Sequence, residues 1–307
     1  GGATQTATHG SGDARGVLTT AVASLRYLDA DGVLHEVTRA DPEFGALAVG
    51  VGAFGVVVDL TLDLVPRYDV RQDVYDGLTW DALAADLDAV TSFAESVSLF
   101  TRWDAGVAVW AKRRVEPGTV IPERVLDATR SDTLAPIGVG PHITELGTPG
   151  PWYLRMPHFR ADAEPSRGDE IQSEYFVGRA DAPAAFAALR AIADRFTDEL
   201  IVTEIRTTAA DDLWLSPAYG RDSVTIHFTW ENHAAGVRAA LVHVEAALAP
   251  FAPRPHWGKL HLFDRARLEA VVPRLADARA VFERVDPAGR FVNDHLSRIG
   301  VREPTRG

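Results

Sequence analysis

Two stretches of the sequence, LIVTEIRTT (residues 200–208) and DSVTIHFTW (residues 222–230), alternate in polarity along most of their length. Successive side chains of a strand point to opposite faces of a sheet, so each stretch predicts a strand with one polar and one apolar face. The polar faces carry Glu204 and Arg206 on the first strand, and Thr225, His227 and Thr229 on the second. A half-exposed sheet would show the same alternation. These strands nevertheless lack Lys, and their polar side chains are types that hydrogen-bond a polyhydroxylated substrate.

The rest of the chain mixes strands and helices. Residues 17–38 predict a hairpin that turns at Asp31-Gly32. Asp41 and Pro42 predict a helix start, and a glycine turn then predicts a buried strand that ends at Pro66. Further elements are predicted at SVSLF, VAVWAKRRV, SEYFV, 79–95, 182–197 and 234–248, around a Pro/Gly-rich connection at 115–151. This order predicts an α+β fold, with helices on one face of a mainly antiparallel sheet.

Composition excludes several classes of function. A length of 307 residues favours two packed units, and 46% hydrophobic residues provide a sizeable core. The net charge of −12 argues against a nucleic-acid partner, which needs a basic surface. No apolar run approaches the length of a membrane span, so no membrane partner is expected. The chain has no cysteine and therefore no disulfide, thiolate-bound cluster or thiol nucleophile.

Two glycine-rich segments need separate interpretations. Gly50–Gly55 matches G-x-G-x-x-G, but the predicted helix precedes the glycines and the strand follows them, which is the reverse of a dinucleotide-binding turn. A tight turn that brings the backbone close to a ligand explains these glycines better. The loop Thr8–Gly12 offers backbone N–H groups, hydroxyls and an imidazole to a phosphate or a polar ring, although many such loops bind nothing. No Lys follows its glycines, so it is not a Walker loop.

The chain resembles the alditol oxidases, in the vanillyl-alcohol-oxidase group of PCMH-type FAD-linked oxidases. The similarity extends almost end to end and is carried by TATHGSG, GAFGVVVDLTLDLVP, SVSLFTRW, PGPWYLRMPHFR, QSEYF, TEIRTTAADDLWLSPAYGRDSV, HFTW, RPHWGK and DPAGRFVN. The segments TEIRT, HFTW and HWGK separate this family from other members of the group.

The resemblance implies the fold and its division. The fold would be the C-terminal part of a PCMH-type FAD-binding domain plus an α+β substrate (cap) domain with a mainly antiparallel sheet. The flavin domain would comprise residues 1–67, the substrate domain 68–260, and a tail, 261–307, would return to the flavin domain. In the family the first half of the flavin domain, with the histidine that bonds covalently to FAD, precedes the Thr-His-Gly-Ser-Gly loop. His9 does not match that histidine.

The resemblance also implies roles for individual residues. Substrate binding is expected of Glu204, Arg206, Thr229 and Lys259, and catalysis of Arg206, Lys259 and His227. FAD contacts are expected of Thr6, Ala7, Thr8, His9, Val57 and His256. Ala7 stands where the family pattern has a glycine. No metal site is expected.

The implied reaction is oxidation of the terminal CH–OH of an alditol, such as xylitol or sorbitol, to the aldose, with hydride passing to flavin and O₂ reduced to H₂O₂. The partners would be a small polyol and O₂, and the expected location is cytoplasmic. Two alternatives remain: an aldonolactone oxidase or dehydrogenase of the same superfamily, and a degenerate carbohydrate-binding protein without catalysis.

Overall fold

A computed structural model describes residues 1–104, 106–116, 118–131, 145–156 and 169–303. The strands in these ranges are β1 (Val22–Leu28), β2 (Leu34–Thr38), β3 (Val56–Leu62), β4 (Asp69–Leu78), β5 (Ser96–Thr101), β6 (Val107–Arg114), β7 (Arg124–Val125), β8 (Ala128–Ser131), β9 (Gly150–Pro151), β10 (Ile171–Gly178), β11 (Leu200–Thr208), β12 (Ser223–Trp230) and β13 (Arg254–Pro255). The helices are α1 (Gly2–Gln5), α2 (Phe44–Ala48), α3 (Trp80–Ala85), α4 (Leu87–Thr91), α5 (Trp152–Arg155), α6 (Ala182–Arg190), α7 (Ala234–Leu248), α8 (Arg265–Val271), α9 (Leu275–Val285) and α10 (Asp294–Arg298).

The strands form two sheets. A small sheet has the order β2-β1-β3, and a ten-stranded sheet has the order β13-β10-β12-β11-β5-β6-β4-β8-β7, with β9 paired to β4. The ladders of both sheets are antiparallel. The α+β fold with a mainly antiparallel sheet is confirmed. The small sheet spans residues 22–62 and the large one 69–255, while the predicted division at 67 and 260 stays a prediction.

The apolar face of the large sheet packs against α6 and α7. Ile226 and Phe228 of β12 are fully buried in one core with Phe186 of α6 and Leu241 of α7. Burying each side chain of this size stabilises the fold by about 1.5–3 kcal/mol. Because helices cover this face, the opposite face of β10, β11 and β12 carries the polar side chains that the alternation predicts.

Helix α7 is the one described helix that, with the turn after it, is long and apolar enough to cross a membrane. The sequence expectation that no run approaches this length is therefore too strict. Val237, Leu241, Val244 and Leu248 are fully buried within the fold, whereas Val242 is 57% exposed, so α7 packs on the sheet through one face.

Four local predictions differ from the structure. The helix predicted at 182–197 ends at Arg190, and a separate 3₁₀ turn follows at Ala193–Arg195. Helix α2 begins at Phe44, because Asp41 instead accepts hydrogen bonds from the backbone N–H and hydroxyl of Thr38. The helix predicted at 79–95 is broken at Asp86, whose side chain caps α4. Strand β3 is predicted to be buried but is mostly exposed, since it lies at the edge of a three-stranded sheet. Part of the 115–151 connection and of the PGPWYLRMPHFR motif lies outside the described residues.

Candidate active site

The register of β10, β12 and β11 brings the predicted polar residues to one face of the sheet. Glu174 pairs with His227, which pairs with Glu204 on its other side. Two residues further along the same two strands, Thr225 of β12 pairs with Arg206 of β11. Directly paired residues share a face, so these side chains form a continuous polar surface across three strands. Thr229 lies on the same face, opposite Gln172.

A buried carboxylate that sequence reasoning missed lies at the centre of this surface. The side chain of Glu174 is 0% exposed, and it accepts hydrogen bonds from Arg206 Nη2 at 2.7 Å and from Lys259 Nζ at 2.6 Å. His9 Nε2 lies 3.1 Å from its Oε1 atom. Burial alone would raise the pKa of Glu174, but the Arg206 and Lys259 cations hold it well below its usual range.

Arg206 connects the two acidic residues of the face. Its Nη1 atom donates to the carbonyl oxygen of His9 at 3.4 Å. Its Nε lies 3.6 Å from Glu204 Oε2 and, within the described residues, has no hydrogen-bond partner. Burial would raise the pKa of Glu204, but Arg206 and the neighbouring cations bring it to about 2. Glu204 is therefore an ionised acceptor, and the Arg206 guanidinium lies between two carboxylates.

Lysine is rare in this protein. Lys and Arg together number 31, and only Lys112 and Lys259 are lysines. Lys259 follows β13, and its side chain is 16% exposed. Burial lowers the pKa of both ammonium groups. The negative charge of Glu174 opposes this decrease at Lys259, and that of Glu204 opposes it at Lys112. Lys112 on β6 was not predicted as a site residue, although the scarcity of lysine was a signal.

Two histidines of the site, His227 and His256, are neutral. Burial, with the nearby Lys259 cation, lowers the pKa of His227 to about 3. His227 Nε2 lies 3.3 Å from Gln172 Oε1. Burial also lowers the pKa of His256 to about 3, and its Nδ1 accepts a hydrogen bond from the Gly258 N–H. With such low basicity, His227 is suited to hydrogen bonding rather than to strong general-base catalysis.

A cavity of about 490 Å³ opens beside these groups. Its lining includes four predicted site residues, namely Thr6, Thr8, His256 and Lys259. The remaining lining residues are Ala3, Glu170, Ile171, Gln172, Gly258 and Leu260. Val57 is not among them: it lies in the small sheet, opposite Tyr27. Four predicted residues thus line the cavity, Glu204, Arg206, His227 and Thr229 lie on the polar face of the sheet, and Val57 lies apart from both.

The loop before β1 fits a flavin in its chemistry. Ala7 has φ 54°, a left-handed conformation that favours glycine, which agrees with the glycine expected there. A Cβ atom added to Gly10 would meet nothing within 4 Å, so the backbone there leaves room for a close neighbour. Hydroxyls of Thr6 and Thr8, a neutral His256 and the adjacent cations suit a polar ring that gains negative charge on reduction. His9 Nδ1 is hydrogen-bonded to the Gly10 carbonyl oxygen at 2.8 Å, and its Nε2 faces Glu174, so the ring points toward the substrate sheet.

The chain is 40% identical over 300 residues to the alditol oxidase of a Streptomyces strain, and the match covers 96% of this chain and 71% of that protein. The chain belongs to the alditol oxidase family. The family model for D-arabinono-1,4-lactone oxidase matches residues 167–299 of this alditol oxidase family member. An L-gulono-1,4-lactone dehydrogenase of Mycobacterium tuberculosis is 27% identical, over 97% of this chain and 73% of its own length.

Solved structures confirm the fold of the family. The glucooligosaccharide oxidase of Acremonium strictum superposes with a TM-score of 0.71 at 10% identity, covering 100% of this chain and 72% of its own. The xylooligosaccharide oxidase of Myceliophthora thermophila gives 0.68 at 13% identity, covering 99% and 69%. At such identities these alignments establish the architecture and not the substrate. Within the described residues, no group of three or more His, Asp or Glu side chains could hold a metal ion.

Proposed function

We propose that this chain provides the substrate site and part of the cofactor site of an FAD-dependent oxidase that converts the terminal CH–OH of an alditol, such as xylitol or sorbitol, to the aldose. The observation that carries the proposal is the buried array of Arg206, Glu174 and Lys259 beside an open cavity. The 40% identity to an alditol oxidase supports it.

The substrate hydroxyls are matched to the polar face. Glu204 is ionised and accepts hydrogen bonds, and the Thr229 hydroxyl both donates and accepts. An ammonium group has three protons, and Lys259 uses one of them on Glu174. Its remaining protons are free to hold the oxygen of the reacting CH–OH.

Arg206 and Lys259 stabilise the negative charge that this oxygen gains as its hydroxyl proton is released to water, which prepares the C–H bond for hydride loss. Fixed donors that are mostly buried, as these two side chains are, stabilise developing charge more than the same groups do in water. Bound FAD would supply the hydride acceptor, and O₂ would take up the electron pair with two protons, so that alditol and O₂ give aldose and H₂O₂. Thr6, Thr8 and His256 would hold the cofactor at the cavity wall, and the loop with Ala7 and His9 would approach it through its backbone.

A sugar lactone is the second candidate substrate. The match of residues 167–299 to the D-arabinono-1,4-lactone oxidase family model favours it, as does the similarity to an L-gulono-1,4-lactone dehydrogenase. Both substrate classes present several hydroxyls to the same polar face.

The test is a substrate comparison on FAD-loaded protein that contains this chain. Xylitol, sorbitol and L-gulono-1,4-lactone are offered separately, with O₂ consumption and dye reduction measured in parallel. We expect O₂ uptake and stoichiometric H₂O₂ with the alditols. Turnover of the lactone alone would assign the second function, and bound flavin that no substrate reduces would support a non-catalytic protein.

A further inference from the structure

Glu174 joins three separate parts of the site. Its partners are His9 in the loop before β1, Arg206 on β11 and Lys259 in the loop after β13. The carboxylate is completely inaccessible, and both of its oxygens are engaged, Oε1 by Arg206 and Oε2 by Lys259. It therefore cannot contact substrate itself, and its effect on the reaction must pass through these partners.

We infer that Glu174 is a positioning residue, which fixes the Lys259 ammonium and the Arg206 guanidinium at the reacting oxygen and ties the cofactor loop to the substrate sheet. This inference rests on the proposed function. Two cations that are both within hydrogen-bond reach of one carboxylate repel each other when the carboxylate is removed. The flexible Lys259 side chain would then leave its position or lose its proton, while the guanidinium remains charged.

The charge state of Lys259 reports on this arrangement. The charged or titratable groups around its ammonium come from every neighbouring element and are His9, Glu170, Glu174, Glu204, Arg206, His227 and His256. Burial lowers the pKa of Lys259, and Glu174 is the largest effect that opposes the decrease. Replacing Glu174 by Gln removes that opposition, so the ammonium should deprotonate at lower pH.

The chain supplies a matched control. Glu245 on α7 is also a buried glutamate with a cationic partner, since it accepts hydrogen bonds from Arg267, the Tyr175 hydroxyl and the Leu262 N–H. It lies on the helix-covered side of the sheet, away from the polar face. Glu245→Gln removes a buried charge at a comparable structural cost and leaves the Lys259 environment intact.

The first measurement is a pH titration of the two lysine side chains in protein labelled with ¹⁵N-lysine, and it requires no turnover. The two signals are assigned with Lys112→Arg. In Glu174→Gln we expect the Lys259 pKa to fall by about one unit or more, with Lys112 nearly unchanged. Glu245→Gln should change neither. An unaltered Lys259 pKa in a folded Glu174→Gln protein would overturn the inference, even if the substrate proves to be a lactone.

The second measurement is the pH profile of flavin reduction in the loaded enzyme. Glu174→Gln should lower kcat by roughly 10²-fold, with a smaller change in KM, and should move the alkaline limb of the profile to lower pH. Glu174→Asp keeps the charge but is shorter by one methylene, so it should recover part of kcat and the original limb. It also serves as the test variant if Glu174→Gln does not fold. If Glu174→Gln and Glu245→Gln lose the same factor in kcat and both keep the wild-type alkaline limb, Glu174 has only a structural role.

Discussion

At the scale of single residues, the reaction depends on where charge is held. Arg206 and Lys259 are two cations that share one fully buried carboxylate, and both border the surface on which the substrate is proposed to bind. Their benefit should grow as the reacting oxygen becomes negative, because interactions that are stronger in the transition state than in the ground state accelerate the chemical step. The same contacts contribute less to holding the neutral substrate.

Lys259→Ala should therefore lower both kcat and kcat/KM, by about 10²–10³-fold. Thr229→Ala removes a neutral contact and should mainly raise KM, at about 1 kcal/mol. Lys259→Arg should restore little, because a planar guanidinium does not fit a site shaped for a compact ammonium. Anaerobic flavin reduction by xylitol in a stopped-flow instrument measures the step directly. If Lys259→Ala, saturated with xylitol, reduces its flavin at the wild-type rate, Lys259 only binds the substrate.

The residues of the site were predictable to different degrees. Glu204, Arg206, His227 and Thr229 alternate in strands whose pattern is visible in the sequence, and the structure places all four on one face. Glu174 also lies in a predicted strand, SEYFV, but a single acidic residue within a strand has no distinctive local pattern. Only its pairing with His227 and the return of a distant loop bring three partners to it.

At the scale of elements, the turn before β3 shows what its glycines do. Val51 and Gly52 have φ of 46° and 74° and form the turn itself. A Cβ atom on Gly55 would lie 2.5 Å from the Leu28 carbonyl oxygen, at the point where β3 begins to pair with β1. The spacing of the motif therefore serves strand packing. The order of elements predicted this, since no helix follows the glycines.

Two glycine substitutions separate conformational strain from steric clash. Gly52→Ala has open space around the new methyl group and should cost about 1 kcal/mol for its positive φ. Gly55→Ala should cost about 3 kcal/mol, because the backbone of β1 would have to move. Urea unfolding monitored by circular dichroism gives both values. Equal losses would mean that the approach of Gly55 to Leu28 is not tight.

The exposure of β3 and the start of α2, unlike the role of the glycine turn, could not be predicted from the order of elements. The apolar run VVVDLTL indicates a strand, yet burial depends on what covers it, and Val56 and Val58 are 53% and 51% exposed. Asp41 is equally able to cap a helix or a turn, and only the position of Thr38 after the hairpin decides between them.

At the scale of the whole molecule, buried neutral histidines link stability to pH. His227, His256 and His261 each have a pKa lowered to about 3, in every case chiefly by burial. In the unfolded chain a histidine binds a proton near pH 6.5. Between pH 3 and 6.5 the unfolded state therefore binds more protons than the folded state. The stability contributed by these rings is fully present above pH 6.5 and is lost as the pH falls toward 3.

We expect thermal stability to fall between pH 7 and 5, before most carboxylates titrate. Each ring should contribute roughly 2 kcal/mol to the loss by pH 5. The His261 ring packs on Phe263, outside the polar face. Replacing it in His261→Asn should therefore make the melting temperature depend less on pH. The matched variant at the exposed His243, His243→Asn, should leave it unchanged. A melting temperature that stays constant from pH 7 to 5 would contradict the neutral assignment.

The near absence of lysine has a chemical consequence. Arginine provides almost all of the basic surface, and the two side-chain amines are partly buried beside Glu174 and Glu204. Acylating reagents need an accessible, deprotonated amine, so bulky ones should leave the folded side chains unmodified. A small neutral reagent that enters the cavity would meet Lys259, whose lowered pKa favours the reactive form. Amine modification, ordinarily a label for protein surfaces, would here act as a reagent directed to the active site.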